Sequence, residues 1–165
     1  MVTPRLETLC TALAQVLIAR KLSMVTAESC TGGLIAASCT QLSGSSAWFE
    51  RGFVTYSNAA KSELLGVPAS LIEAQGAVSE EVAKAMALGA LAHSPAHISV
   101  AVTGIAGPTG GTDAKPVGTV WLAWAWRDSK QVLHSETLLR QFEGTRSEVR
   151  DATAELALAH LTELV

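Results

Sequence analysis

Eight residues near the start of the chain, TAESCTGG at positions 26–33, gather more reactive atoms than a turn requires. They hold a carboxylate, hydroxyls, a thiol and two glycines between the apolar segments LSMV and LIAAS. We interpret Ser29 as a candidate nucleophile, because the N–H groups of a helix starting just after it would stabilise an oxyanion there. Serine at such a junction is also a common helix N-cap, so the local pattern leaves both roles open.

A nucleophilic serine needs a base, and the segment YSNAAK at positions 56–61 offers Tyr56 and Lys61. A lysine amine has an ordinary pKa of about 10.4 and accepts a proton near neutrality only where burial lowers that pKa. Tyr56 is the only tyrosine, and its hydroxyl is a candidate proton relay between Ser29 and Lys61. Taken alone, however, Lys61 fits a solvated helix position better than a catalytic one.

Cys30 is the rival nucleophile, because a helix N-terminus lowers the pKa of a thiol. A catalytic cysteine commonly works with a histidine as its base. All four histidines fall outside the glycine-rich segments, and we expect structural or surface roles for them: His93, His97, His134 and His160.

Metal chemistry has little support in the sequence. The three cysteines form no CxxC pair, and Glu28, Glu50 and Asp113 show no metal-ligand spacing. We therefore predict no metal and no cofactor.

A second segment, TGIAGPTGGTDAKPVG at positions 103–118, follows the apolar stretch HISVAV. In α/β sheets, ligand sites form beyond the carboxyl ends of the parallel strands, where both glycine-rich segments are expected. Glycine lets a backbone approach a ligand closely, although glycines in either segment alone would also serve ordinary turns. Two such segments at one sheet edge favour a binding site.

The elements that must position these residues follow from apolar spacing and capping signals. Helical spacing predicts a first helix over 4–21, MVTA reads as a strand, and a second helix is expected from Gly32 to about Gln41. The predicted order is α, β, α, β, α, α, β, β, β, α, with a late hairpin and a capping box that opens the last helix at Thr145. This order predicts one three-layer α/β/α domain over residues 1–165, with a mixed, mostly parallel sheet.

Composition narrows the function classes. The chain has 165 residues, of which 48% are hydrophobic and 16% charged, with a net charge of −3. We predict no nucleic-acid partner, because no basic cluster is present, and no membrane association, because no apolar run approaches ~18 residues. The N-terminus lacks the apolar core of a signal peptide, so we expect a cytoplasmic protein. The apolar ATAELALAHL and other Ala-rich helices suggest a homodimer, although burial within one subunit would also explain them.

Five segments in this order closely resemble the CinA C-terminal-domain family: TAESCTGG, GSSAWFERGFVTYSNAAK, GAVSEEVAKAMALGA, VTGIAGPTGGTDAKPVGTVW and FEGTRSEVR. The resemblance runs from about residue 5 to the end of the chain. It is closest to the stand-alone nicotinamide-nucleotide amidohydrolases of the family. The family fold, a three-layer α/β/α domain, agrees with the independent interpretation above.

The resemblance implies hydrolysis of the carboxamide of nicotinamide mononucleotide, giving nicotinate mononucleotide and ammonia in pyridine-nucleotide recycling. By motif, it assigns the nucleophile to Ser29 and the proton transfers to Lys61 and Tyr56. It also implies substrate contacts from the two glycine-rich segments and from the start of the last helix: Cys30, Thr31, Gly32, Gly33, Thr103, Gly104 and Arg146. Among these, Arg146 is the expected phosphate ligand.

Two other function classes compete with this hypothesis. A family member that had lost catalysis would act as a nucleotide-binding module, but it would be expected to lack one of Ser29, Tyr56 and Lys61. A P-loop or Rossmann nucleotide-binding protein would carry GxxxxGK[ST] or GxGxxG, and neither motif is present.

Overall fold

The computed structural model describes residues 2–165, which form six α-helices around one five-stranded sheet. The helices are α1 (Pro4–Arg20), α2 (Leu34–Thr40), α3 (Asn58–Leu65), α4 (Ala69–Gln75), α5 (Glu80–Ala92) and α6 (Arg146–Leu164). The strands are β1 (Met24–Glu28), β2 (Phe49–Val54), β3 (Ile98–Gly104), β4 (Thr119–Arg127) and β5 (Leu133–Gln141). The observed order, α, β, α, β, α, α, α, β, β, β, α, agrees with the prediction except that three helices, not two, lie between β2 and β3.

The sheet has the strand order β2-β1-β3-β4-β5. β1 pairs in parallel with β2 and β3, and β4 pairs in antiparallel fashion with β3 and β5. Four strands therefore run in one direction and only β4 runs against them, which confirms the mixed, mostly parallel sheet. The carboxyl ends of β1, β2 and β3 meet at one edge, where both glycine-rich segments begin.

Successive side chains of each strand point to opposite faces of the sheet, so the core has two layers, and these differ in the size of their side chains. Larger apolar side chains of β3 and β4, such as Val100 and Trp124, pack against α1, α2 and α6. The intervening positions are small, such as Ala101 and Ala123, and pack against α3, α4 and α5. Small side chains allow the Ala-rich α5 to lie close to the sheet, which completes the predicted three-layer α/β/α arrangement.

Local signals fix the helix ends near the site. Ser79 caps α5 by accepting from the N–H of Val82 at 3.3 Å. Thr145 and Glu148 form the predicted capping box at the start of α6. A Cβ at Gly89 of α5 would collide with the carbonyl of Leu65, so glycine at this position permits the close approach of α3. No helix in residues 2–165 is long and apolar enough to cross a membrane.

The apolar stretch of α6 packs largely inside the subunit. Ala154, Ala157, Leu158 and Leu161 are fully buried against the sheet and α1. The composition of this helix therefore has an explanation within one chain, and the expected homodimer stays a prediction.

Candidate active site

A pocket of about 230 Å³ opens at the edge where β1 and β3 end. It is lined by side chains and backbone from the two glycine-rich segments, α3, the turn before α5 and the start of α6. The lining residues are Ser29, Cys30, Tyr56, Asn58, Lys61, Ala77, Val78, Thr103, Gly104, Ala106 and Arg146. The fold thus gathers, from distant parts of the chain, most of the residues that the sequence singles out.

Ser29 and Lys61 meet at the base of this pocket. The Nζ of Lys61 lies 3.1 Å from the Oγ of Ser29, and both side chains are buried. The N–H of Ser29 donates to the carbonyl of Val102, so the turn that carries the hydroxyl is held against β3. A serine within hydrogen-bonding distance of a buried amine has the geometry of a nucleophile and its base.

Lys61 also contacts two backbone carbonyls, that of Thr55 at 3.0 Å and that of Tyr56 at 3.4 Å. Only 1% of the residue is exposed, and burial lowers the pKa of its amine, because the charged form loses hydration. Carbonyls only accept hydrogen bonds, so a neutral amine that donates to both of them turns its lone pair toward the hydroxyl of Ser29. The first turn of α3, capped by Ser57, fixes the lysine in this position.

The fully buried carboxylate of Glu28 organises the turn from the other side. It accepts from the hydroxyl of Thr31 at 2.6 Å and from the N–H groups of Gly33 at 3.1 Å, Ile35 at 3.0 Å and Ala36 at 2.8 Å. Glu28 therefore satisfies the donors at the start of α2, where no other side chain serves as the cap. Its role is structural, and it does not line the pocket.

The structure corrects the expected position of Ser29 relative to the helix. α2 begins at Leu34 with Gly33 as its N-cap, so Ser29 lies in a preceding turn and is not the cap. The N–H of Gly32 donates to the carbonyl of Ser29, and that of Gly33 is taken by Glu28. Within residues 2–165, the N–H groups of Cys30 and Thr31 have no backbone or side-chain oxygen acceptor. Both N–H groups lie beside the thiol of Cys30, and they are the donors of the turn that no protein oxygen in this range occupies.

Cys30 has the wrong environment for a nucleophile. It is 6% exposed, and burial raises the pKa of its thiol to about 12, with a further increase from the nearby charge of Glu28. A thiol with such a pKa stays protonated near neutrality and is a poor nucleophile. The expectation that the helix N-terminus would activate it fails, because Glu28 already occupies that terminus.

Tyr56 and Arg146 stand together at the mouth of the pocket. The hydroxyl of Tyr56 accepts from Nη2 of Arg146 at 2.9 Å, and Nη1 donates to the carbonyl of Gly107 at 2.8 Å. The tyrosine side chain is directed outward, and the residue is 60% exposed. Because Lys61 contacts Ser29 directly, the expected relay through the Tyr56 hydroxyl is not part of this arrangement.

Comparison with known proteins identifies the family. The chain matches the CinA C-terminal domain over residues 6–165. It belongs to this family. A relative from Pseudomonas putida, named nicotinamide-nucleotide amidohydrolase PncC, is 52% identical over 159 residues, which make up 96% of each chain. An Escherichia coli protein of the same name is 48% identical over 149 residues, covering 90% of this chain and 88% of that protein.

Solved structures agree with the fold of this CinA C-terminal domain. The competence/damage-inducible protein CihA from Agrobacterium tumefaciens superposes with a TM-score of 0.91 at 43% identity, covering 99% of this chain and 98% of that chain. The domain also occurs within a longer chain. A CinA-like protein of Syntrophus aciditrophicus is 51% identical over 158 residues, which are 94% of this chain and 36% of that protein.

Of the remaining predicted site residues of this CinA C-terminal domain, some line the pocket and others only shape the backbone around it. Thr103 lines the pocket, and its hydroxyl donates to the carbonyl of Ala77 at 2.8 Å. Gly104 also lines the pocket, and a Cβ there would come within 2.8 Å of the carbonyl of Thr119. Thr31 and Gly32 shape the Ser29 turn and do not face the pocket directly.

Sequence reasoning missed several residues at this site. Asn58, Ala77 and Val78 line the pocket. Arg150, one turn after Arg146 on α6, donates to the carbonyl of Thr31 from Nη2 at 2.7 Å and from Nε at 3.3 Å. Asn58 lies inside the YSNAAK motif, which is a usable signal. Ala77, Val78 and Arg150 lie inside two other segments that carry the family resemblance, but their roles depend on contacts with parts of the chain that are distant in sequence.

The residues considered for metal binding lie apart. Within residues 2–165, no group of three or more His, Cys, Asp or Glu side chains is arranged to hold a metal ion. None of the four histidines lines the pocket. His97 contacts Ser23, His134 contacts Asp128 and His160 contacts Glu136. The fourth, His93, lies at the end of α5 against the carbonyl of Gly89.

Proposed function

We propose that this chain hydrolyses the carboxamide of nicotinamide mononucleotide to nicotinate mononucleotide and ammonia, in pyridine-nucleotide recycling. The observation that carries the proposal is the 3.1 Å contact between buried Ser29 Oγ and buried Lys61 Nζ. The names of the Pseudomonas putida and Escherichia coli relatives supply the substrate. The substrate itself favours the reaction, because its pyridinium ring withdraws electrons from the amide carbonyl.

The first chemical step is attack of Ser29 Oγ on the amide carbon. Neutral Lys61 takes the hydroxyl proton as general base, a contribution that is typically ~10²–10⁴ in rate. The carbonyl oxygen becomes an oxyanion, and the N–H groups of Cys30 and Thr31, which bind no oxygen of residues 2–165, are its candidate donors in the Ser29 turn. Collapse of the tetrahedral intermediate breaks the C–N bond, and the protonated Lys61 returns its proton to the departing ammonia.

The acyl-enzyme is then cleaved by water. Lys61, again neutral, removes a proton from the attacking water and passes it to Ser29 Oγ; the acid product then ionises to the carboxylate and releases its own proton to solvent. No step in this sequence requires a cofactor. Tyr56 contributes through its backbone carbonyl, which helps to orient the amine of Lys61, and through its hydroxyl, which holds Arg146 at the mouth.

Phosphate recognition falls to Arg146 in this proposal. Its guanidinium stands at the pocket mouth and retains donors that can face a phosphate. The N–H groups of the first turn of α6 are weaker candidates for this role than Arg146. The carboxylate of Glu148 occupies that turn, and its hydrogen bonds from Thr145 lower its pKa and keep it ionised.

The test is an ammonia assay on the purified protein with nicotinamide mononucleotide, in the presence and absence of EDTA. We expect ammonia and nicotinate mononucleotide in equal amounts, undiminished by the chelator. Binding of the nucleotide without ammonia release would instead favour the alternative, a non-catalytic nucleotide-binding module. The predicted homodimer and cytoplasmic location belong to the same proposal, and analytical ultracentrifugation tests the former.

A further inference from the structure

One wall of the pocket is a short segment without regular structure. Residues 76–78 connect α4 to the N-cap of α5, and Ala77 and Val78 line the pocket with Ser29 and Lys61. Gly76 ends α4 with a φ of +78°, a conformation that favours glycine. The position of this wall therefore depends on what holds the segment.

A lysine from the second glycine-rich segment grips the wall from outside. The Nζ of Lys115 donates to the carbonyl of Val78 at 2.7 Å and to that of Gln75 at 3.3 Å. Lys115 is itself fixed by a tight turn, in which Thr112 donates to its carbonyl at 2.9 Å and accepts from its N–H at 3.1 Å. An ammonium group that binds two carbonyls three residues apart acts as a clamp on the segment between them.

Two hydroxyls hold the carbonyls that lie between. Ser79 donates to the carbonyl of Gly76 at 2.8 Å, and Thr103 donates to the carbonyl of Ala77 at 2.8 Å. Together with the contacts of Lys115, every carbonyl from residue 75 to residue 78 is bound by a side chain. The wall therefore offers a substrate few bare acceptor oxygens.

The N–H groups of Ala77 and Val78, unlike the carbonyls of this wall, are not bound by other protein groups in the described part of the chain. In a trans peptide the N–H points away from the carbonyl of the preceding residue, so binding those carbonyls also sets the direction of the N–H groups. Within residues 2–165, the N–H groups of Ala77 and Val78 have no protein acceptor. Both residues are partly buried in the pocket wall, and a ligand oxygen in the pocket would satisfy these donors.

We infer that Lys115 is a positioning residue, which orients the wall so that the N–H groups of Ala77 and Val78 bind an oxygen of the nicotinamide–ribosyl part of the substrate. The inference rests on the proposed function for the identity of the substrate. Arg146 takes the phosphate at the mouth, so the wall and the mouth bind different parts of one molecule.

The test compares Lys115→Met with Lys115→Arg, using nicotinamide mononucleotide and its riboside as substrates. Lys115→Met should raise KM about tenfold for both substrates and change kcat little, because lost binding that is uniform along the reaction affects KM. Lys115→Arg keeps a cation with several donors and should restore most of the affinity. Lys84→Met, which removes an exposed lysine of α5, is the matched control and should behave as wild type.

Hydrogen exchange separates this inference from the proposed function. In substrate-free protein, Lys115→Met should speed exchange in peptides that span residues 74–80, whatever the substrate proves to be. In the Ser29→Ala background, saturating nicotinamide mononucleotide should protect the amides of Ala77 and Val78. If wild type releases no ammonia, the proposed function fails, while the substrate-free exchange still tests the clamp.

Three results would overturn the inference: an unchanged KM in Lys115→Met, an effect on kcat alone, or unaltered exchange in the wall. A loss confined to the mononucleotide would assign the wall to the phosphate and contradict the stated role. Thermal melting of each variant shows that it is folded at the assay temperature.

Discussion

Two buried ionisable side chains, Glu28 and Lys61, flank the Ser29 turn, and their hydrogen-bonding environments differ. The carboxylate of Glu28 accepts four hydrogen bonds, three of them from backbone N–H groups at the start of α2. The amine of Lys61 has three neighbours, two carbonyls and the hydroxyl of Ser29, and none of them carries a charge. One charge is stabilised as part of the fold, whereas the other is left ready to lose its proton.

The contrast explains how one small edge of the sheet is both rigid and reactive. Glu28 fixes the turn that presents Ser29, so the hydroxyl does not need to reorganise during the reaction. Lys61 is desolvated without a compensating anion, which lowers the pKa of its amine. Stability and reactivity are therefore assigned to different residues, and substitutions can separate them.

Ser29→Ala should have the largest effect on activity. We expect loss of several orders of magnitude in kcat, because no neighbour replaces a nucleophile. The melting temperature should change little, since the Oγ contributes only the contact to Lys61. Retention of more than a few per cent of turnover, measured as ammonia release, would remove Ser29 from its role.

Lys61→Met should abolish activity and also raise stability near neutral pH. The lowered pKa of the Lys61 amine means that the unfolded chain binds more protons than the folded one between that pKa and the ordinary lysine pKa. The free energy of unfolding of wild type should therefore increase with pH across this window, and the methionine variant should lack that dependence. Denaturant unfolding of both proteins at several pH values measures the difference in stability and its pH dependence.

The same lysine gives a kinetic test. The wild-type rate should rise with pH along an acidic limb that reports the lowered pKa of Lys61. Lys61→Arg should fail almost as badly as Lys61→Met, because a guanidinium does not give up its proton near neutrality. Good turnover in Lys61→Arg would mean that the position supplies charge and not proton transfer.

Glu28→Gln should produce the reverse pattern to Lys61→Met. The amide group would bring donors toward N–H groups that now face a carboxylate, and we expect a loss of roughly 3 kcal/mol in the free energy of unfolding. Residual activity at low temperature should keep the wild-type acidic limb, because Glu28 does not exchange protons with the substrate. A Glu28→Gln variant that is as stable as wild type but has a shifted acidic limb in its pH–rate profile would contradict the contrast between Glu28 and Lys61.

Arg146→Ala should have a smaller effect that depends on the substrate. If the guanidinium binds the phosphate, KM for the mononucleotide should rise about tenfold or more, while the riboside should be affected much less. Equal losses on both substrates would show a role other than phosphate recognition. Steady-state kinetics with the two substrates decides between these results.

Cys30→Ala should have the smallest effect. A thiol with a pKa of about 12 has no acid–base role near neutrality, so kcat/KM should stay within a few-fold of wild type. Inactivation on the scale of Ser29→Ala would revive the thiol as nucleophile. Treatment with a thiol reagent under native conditions provides an independent check.

The sequence by itself determined the family, the caps at Ser79 and Thr145, and the order of elements apart from one helix between β2 and β3. Apolar periodicity, the caps at Ser79 and Thr145, and the glycine-rich segments are local signals, and they led to the correct three-layer α/β/α fold. The motifs around Ser29 and Lys61 were also visible. These motifs did not show the burial or the hydrogen-bond partners of their reactive groups.

Only the tertiary structure decided which of the reactive groups share a site and what each one touches. Glu28 became a buried cap, Cys30 became a desolvated thiol, and the Tyr56 hydroxyl turned outward to Arg146. Lys115, Ala77 and Val78 stood in the quoted segments, but the contact of Lys115 with this wall became visible only in the structure, for the same reason. Burial, hydrogen-bond partners and pKa depend on contacts between segments that are far apart along the chain, and local sequence patterns do not record those contacts.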